Sequence, residues 1–341
     1  MRGFILLSVL LSSLQFSFTS SAFAIDTEKI MVAKHAVVLV RGYNQSGGLA
    51  YGSGVVVAQD KVISNCHVLR TTKSPWINVG EETYPVTSVQ ADRWHDLCLL
   101  TTFNLPVTSV AIGSGKDLKR GQEILSIGHS NGSPASLTSS GSINTTYAFD
   151  EGKVIRSTAP FRMGASGSGI FDLDGKLLGI NTFKSPGKTA YFYSLPIEWL
   201  VNLQKLPEET AFPIIGKAFW EAEDHEKPFF MQMAIPEISE DWLKLEQVAQ
   251  NWIASEPKNS EAWFELGVAN EHLNKTDEAA RAYHESVMFD AGNINALFRL
   301  GVIAHNKGDD AGVNQVKQSI AEIDPTLVEQ YREALGCDKK C

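Results

Sequence analysis

The hydrophobic pattern of this 341-residue chain changes period once, near residue 237. From about residue 30 to 205 it consists of short apolar runs broken by turn residues. Examples are Ala36-Val37-Val38-Leu39-Val40, Gly54-Val55-Val56-Val57 and Ile124-Leu125-Ser126-Ile127, with Gly47-Gly48, Asn131-Gly132 and Asp174-Gly175 between such runs. Many short strands at this spacing predict a β-barrel or sandwich, and Asp174-Gly175 between Ile170-Phe171 and Leu177-Leu178-Gly179-Ile180 predicts a hairpin. Past residue 237 the period is helical. Trp263, Leu266 and Gly267 recur as Leu297, Leu300 and Gly301, each shifted by 34 residues. One layer architecture does not satisfy both periods, so pattern and length together predict two domains.

The ends and the joint complete the expected organisation. Met1-Arg2, the apolar stretch Phe4 to Leu11 and the small-x-small run Ala22-Phe23-Ala24 read as a signal peptide over residues 1–24. The apolar stretch is short for a bilayer span, and no cysteine follows the cut. The expectation is an exported protein, periplasmic or secreted, without a membrane anchor after cleavage. Residues 25–205 are then the β domain. Residues 206–236, with Pro207, Pro213, Pro228 and Pro236, are a linker that packs partly on a neighbour, 237–336 are helical repeats, and 337–341 are a cysteine-containing tail. Net charge is −9, nearly all of it in residues 237–341. An acidic chain without a basic block is not built for nucleic acid. No histidine or cysteine pair has metal-site spacing, so neither a metal nor another cofactor is expected.

Three residues in order carry candidate chemistry. His67 ends Val62-Ile63-Ser64-Asn65-Cys66-His67, Asp96 opens Asp96-Leu97-Cys98-Leu99-Leu100, and Ser166 lies in Gly164-Ala165-Ser166-Gly167-Ser168-Gly169. A serine hydroxyl is a weak nucleophile until an imidazole takes its proton, and a carboxylate fixes that imidazole's tautomer. Glycines let the backbone turn so that the N–H groups of Gly164 and Ser166 point at one developing oxyanion. A strand, not a helix, follows Ser166, and histidine comes first in the chain. Both features exclude the α/β-hydrolase elbow. His95, next to Asp96, is expected to point away as a surface residue. Cys66 and Cys98 flank two residues that must meet, and either a bridge or two buried thiols fits. Cys337 and Cys341 are a second possible pair.

The 34-residue W-x2-L-G pattern, with Ala279 and Tyr283 in the second helix and Pro257 and Pro325 two periods apart, resembles the tetratricopeptide repeat. Trp242 to Ser255 reads as the second helix of a degenerate earlier repeat, and Thr326 to Leu335 as a capping helix. Stacked hairpins leave a concave surface, which implies docking of a protein or peptide partner.

The β half resembles trypsin-like serine peptidases of the HtrA type. The resemblance rests on Gly52-Ser53-Gly54-Val55-Val56-Val57, Ser64-Asn65-Cys66-His67-Val68-Leu69, His95 to Leu100, Gln122 to His129, and Gly164 to Ser168 continuing to Gly179-Ile180-Asn181-Thr182. It implies a chymotrypsin-like double β-barrel, here followed by an all-α repeat domain in place of PDZ domains. It further implies a serine endopeptidase acting on peptides or proteins, with His67 as base, Asp96 as its orienting partner and Ser166 as nucleophile. Ser194, in Tyr193-Ser194-Leu195-Pro196, is expected on an edge strand beside the substrate, with its hydroxyl near Asp96. Phe161 and Met163 are expected to line an apolar pocket. Ala165 stands where zymogen-activated relatives need an aspartate, so no such activation is expected of the mature N-terminus at Ile25. The competing reading is an inactive protease fold serving as a repeat-based scaffold.

Overall fold

The computed structural model describes residues 27–185 and 191–336, so the leader over residues 1–24 and the Cys337–Cys341 pair lie outside the described residues. Helix α1 (Thr27–Ala36) buries Ala33 and Ala36 and leads directly into β1 (Val37–Tyr43). The first lobe continues with β2 (Leu49–Ala58), β3 (Lys61–Asn65), β4 (Trp76–Val79), β5 (Glu82–Pro85), β6 (Ser88–Asp92) and β7 (Leu97–Thr101). These seven strands form one sheet in the order β5-β4-β1-β2-β3-β7-β6. The apolar runs fall where they must. Leu97, Cys98, Leu99 and Leu100 of β7 are all at most 1% exposed, as a strand covered on both faces requires.

The second lobe holds β8 (Glu123–Gly128), β9 (Leu137–Phe149), β10 (Gly152–Ser157), β11 (Gly169–Phe171), β12 (Leu177–Lys184) and β13 (Phe192–Pro196). It closes into a barrel in the order β10-β13-β12-β11-β8-β9. The expected hairpin is the β11–β12 turn, where the Asp172 carboxylate accepts from the N–H groups of Asp174 (3.0 Å) and Lys176 (2.8 Å). Gly175 there has φ +73°, a conformation that favours glycine. The fold is thus the expected two-lobed chymotrypsin-like one. It departs from two closed barrels only in that the first lobe's sheet has free edges at β5 and β6.

Residues 206–236 pack against the first lobe at their start. Glu209 makes a β-bridge to Val89 of β6, and its carboxylate takes both terminal nitrogens of Arg93, at 2.9 and 2.6 Å. Short helices follow: after α2 (Leu200–Leu203), α3 is Phe229–Gln232 and α4 is Ala234–Ile238. Phe230 of α3, 3% exposed, stacks on Tyr147 of β9 with ring centroids 4.5 Å apart.

The helical half comprises α5 (Trp242–Ser255), α6 (Ser260–His272), α7 (Thr276–Phe289), α8 (Ile294–Asn306), α9 (Asp310–Ile323) and α10 (Leu327–Ala334). Its 34-residue period appears in the caps. Asn259 accepts from the N–H groups of Glu261 (3.0 Å) and Ala262 (3.2 Å), and Asn293 accepts from Ala296 (3.2 Å). The repeated glycines admit aromatic rings: a Cβ on Gly267 would lie 2.4 Å from the Tyr283 ring, and one on Gly301 would lie 2.2 Å from the Tyr331 hydroxyl. The residue 34 past Tyr283 is Lys317, so the second hollow is filled by Tyr331 of α10 instead. Val248 and Trp252 of α5 share one continuous core with both lobes through Phe230 and Met233. The two halves are therefore welded rather than tethered.

Candidate active site

His67 sits in a 3-10 turn, Cys66–Leu69, at the end of β3, and Asp96 closes the turn between β6 and β7. Asp96 is wholly buried and adopts φ +56°, a left-handed conformation that aspartate tolerates better than most residues. Its carboxylate takes two bonds from His67: the backbone N–H at 2.8 Å and ring Nδ1 at 2.6 Å. The Asp96 carbonyl accepts from Cys66 N–H (3.1 Å) and Asn65 Nδ2 (3.0 Å), so the two turns are laced together on both sides. Cys66 and Cys98 form a disulfide there, with Cα atoms 5.0 Å apart. With Nδ1 committed to a carboxylate, the ring carries its proton on Nδ1 and presents a basic Nε2.

The glycine-rich turn reaches this pair from the other lobe. Gly164 (φ +92°) is the third residue of a turn closed by Ala165 N–H to Arg162 O at 2.9 Å, a type II arrangement that calls for glycine at that place. Gly167 (φ +85°) packs so tightly that a Cβ would lie 2.2 Å from the Ser53 carbonyl and 3.0 Å from the Asn65 nitrogen. Ser166 thus lies against the strand end that leads to His67. Among the described residues, the N–H groups of Gly164 and Ser166, the Ser166 hydroxyl and His67 Nε2 enter no protein hydrogen bond. Contacts of this kind often tighten only when substrate arrives.

Ser53, which sequence reasoning passed over, holds the turn with its N–H and its hydroxyl. Its N–H donates to Ser166 O (2.8 Å), its hydroxyl donates to Gly164 O (2.8 Å) and accepts from His129 N–H (2.9 Å), and its carbonyl accepts from the Ser64 hydroxyl (2.7 Å). Asn181 is a second hidden support: Nδ2 donates to the hydroxyls of Ser126 and Ser168, both at 2.9 Å. Ser168 thereby gains a buried partner. The available signal was Gly52-Ser53-Gly54, a small polar residue between glycines, but its partners lie on the other lobe.

Ser194 corrects an expectation. Strand β13 lies between β10 and β12 rather than at an edge, and Ser194 pairs with Asn181. Its buried hydroxyl donates to Asn181 Oδ1 at 2.8 Å, so it neither reaches Asp96 nor walls a pocket. Phe161 is 8% exposed and packs on Phe192, with centroids 5.0 Å apart, whereas Met163 is 79% exposed at the rim. The two do not line one cavity.

His95 also departs from expectation. The segment Arg93–Asp96 is a turn, not a strand, so the alternation rule does not apply, and the ring lies half-buried on Trp199 with centroids 4.1 Å apart. Nδ1 meets Asp92 at 2.7 Å and Nε2 meets Asp150 of the β9–β10 turn at 3.1 Å, tying one lobe to the other. Burial opposes the charged ring, but the two carboxylates prevail and raise its pKa above the ordinary value. Asp92, despite burial, is lowered by its bonds to His95. The raised histidine stabilises the fold fully below about pH 6.5, and that contribution fades as pH climbs through its folded-state pKa. The Asp92 contribution is present above the ordinary aspartate range and fades as pH falls through the depressed value. Replacing His95 with Gln should therefore cost about 1 kcal/mol at pH 5.5 and markedly less at pH 8.5, read from urea midpoints at the two values.

Residues 52–180 match the model of the trypsin-like peptidase domain. The chain is similar to the anti-sigma-I factor RsgI9 of Acetivibrio thermocellus, 28% identical over 163 residues, covering 47% of this chain and 23% of that protein. It is likewise similar to a probable periplasmic serine endoprotease DegP-like of Halomonas elongata, 28% identical over 155 residues, covering 43% of this chain and 33% of that protein. The chain therefore spans a third or less of the length of these two curated relatives. Among solved structures, the active form of the Rv3671c protease from M. tuberculosis aligns with TM-score 0.49 and 20% identity, over 57% of this chain and 89% of that one.

Proposed function

We propose that this chain, which carries a trypsin-like peptidase domain of the HtrA-related kind over residues 52–180, is an exported serine endopeptidase. The observation that carries the reading is the pair of hydrogen bonds that His67 donates to buried Asp96 beside the glycine-framed Ser166 turn. In this reading His67 Nε2 removes the Ser166 hydroxyl proton as Oγ attacks the peptide carbonyl. Asp96 holds Nδ1–H and stabilises the imidazolium that forms. The carbonyl oxygen, now an anion, is met by the N–H groups of Gly164 and Ser166, whose turn Ser53 keeps in shape. His67 then passes its proton to the leaving amine. A water deprotonated by the same nitrogen hydrolyses the acyl-enzyme.

The repeats α6–α9 dock the substrate or a protein partner on their concave side, close to the second lobe. Export is supported by the periplasmic relative and by the Cys66–Cys98 bridge, since such bonds persist in oxidising compartments. No described helix is long and apolar enough to cross a membrane. A fluorophosphonate probe should label the purified protein at one residue, and Ser166→Ala should abolish labelling and casein digestion together. Labelling that survives Ser166→Ala would overturn the assignment of the nucleophile, and intact wild-type protein that takes no label would leave only a binding role.

A further inference from the structure

Trp220 reaches the reaction centre from outside either β lobe. It belongs to the segment joining the β half to the helices, yet its ring stands edge-on to His67, with centroids 5.6 Å apart and planes at 89°. On its other side is Phe183 of β12, at 5.8 Å. The Arg70 guanidinium lies 5.9 Å from the Trp220 ring, and Arg70 Nη1 donates to the neighbouring Glu221 at 2.6 Å. The backbone around Trp220 is pinned to the first lobe: Ile214 N–H donates to Leu69 O (3.3 Å) and Phe219 N–H to Trp94 O (2.9 Å). Glu221 closes its own turn by accepting from Ala218 N–H at 3.0 Å. The indole is therefore a fixed surface and not a loose side chain.

What that surface meets follows from strand pairing. The β11 partner of β12 stops at Ile180, while β13 continues along Asn181 to Lys184. Among the described residues, one edge of residues 182–184 is thus without a strand partner beside the Ser166 turn, and Thr182 Oγ1 accepts from Asn65 Nδ2 at 3.0 Å next to the His67 turn. An extended peptide that adds to this edge places its scissile residue at Ser166 and sends successive side chains to opposite faces. The residue just before the scissile one then faces the surface made by His67, Phe183 and Trp220.

We infer that Trp220 is a specificity-determining residue, its indole filling the space beside His67 and Phe183 and so restricting the side chain that precedes the scissile residue to small or compact apolar groups. This rests on the peptidase reading above. The physical basis is size: removing the indole opens room for a large side chain, and steric discrimination of this kind is worth about tenfold or more in relative kcat/KM.

The test is digestion of an equimolar peptide library by wild type, Trp220→Phe and Trp220→Ala, with cleavage sites identified by mass spectrometry. The readout is the ratio of Phe, Tyr and Trp to Ala, Val and Pro at the residue before the scissile one. A ratio within one sample is independent of the fraction of folded enzyme. It should rise about tenfold in Trp220→Ala and to an intermediate value in Trp220→Phe. Equal ratios in all three active proteins would overturn the inference and leave the peptidase reading intact. Wild type that neither cleaves the library nor takes a fluorophosphonate label would remove the peptidase reading, and the inference with it.

Discussion

Asp96→Asn should lower kcat on a casein-derived peptide by about four orders of magnitude while leaving the fold in place. The left-handed backbone at this position, φ +56°, suits asparagine as well as aspartate, and the change is nearly isosteric. The amide oxygen would accept the His67 backbone N–H in place of the carboxylate oxygen now at 2.8 Å. The amide nitrogen would then face Nδ1 and donate to it, which fixes the proton on Nε2 and removes the base. The rate of fluorophosphonate labelling should fall in step with kcat, because both need an activated Ser166. A thermal midpoint near that of wild type, together with labelling at the wild-type rate, would show that Asp96 does not orient His67.

Phe230→Ala should destabilise the protein by about 3 to 5 kcal/mol, measured from urea midpoints. The ring is almost fully buried and stacks nearly parallel, at 10°, on Tyr147. It also lies within 6.3 Å of Phe149 and of Tyr193, between the second lobe and α5. Removing it leaves a cavity where residues 206–236 join the two cores, so loss of helical signal should begin before loss of β-sheet signal. An exposed apolar residue of the repeats gives the contrast: Met288, 69% exposed, should tolerate alanine within about 0.5 kcal/mol. A Phe230→Ala cost as small as that would mean the two halves fold as separate units.

The fold was legible because each half repeats its own period many times, and the caps Asn259 and Asn293 carry the helical period into the structure. His67, Asp96 and Ser166 were legible because each stands in a short stretch whose composition suits its task. Residues that act across the lobes were not. The Ser53 hydroxyl bonds a carbonyl 111 residues away, and nothing near it in the chain marks that contact. Ser194 was misplaced because its role depends on the β12–β13 register, which sets it opposite Asn181 and turns its hydroxyl from Asp96. His95 was misjudged because alternation assumes a strand and Arg93–Asp96 is a turn. Trp220 escaped notice because its proline-rich surroundings read as a spacer, although Glu209, Ile214 and Phe219 fasten that stretch to the first lobe.

The N–H and hydroxyl by which Ser53 grips the turn from Gly164 to Ser166 also set an order of events. Ser53 is made early in synthesis and the turn much later, so the later peptide groups have nothing to brace them until both lobes exist and have met. On the peptidase reading proposed above, a chain still short of residue 166 therefore has no assembled site.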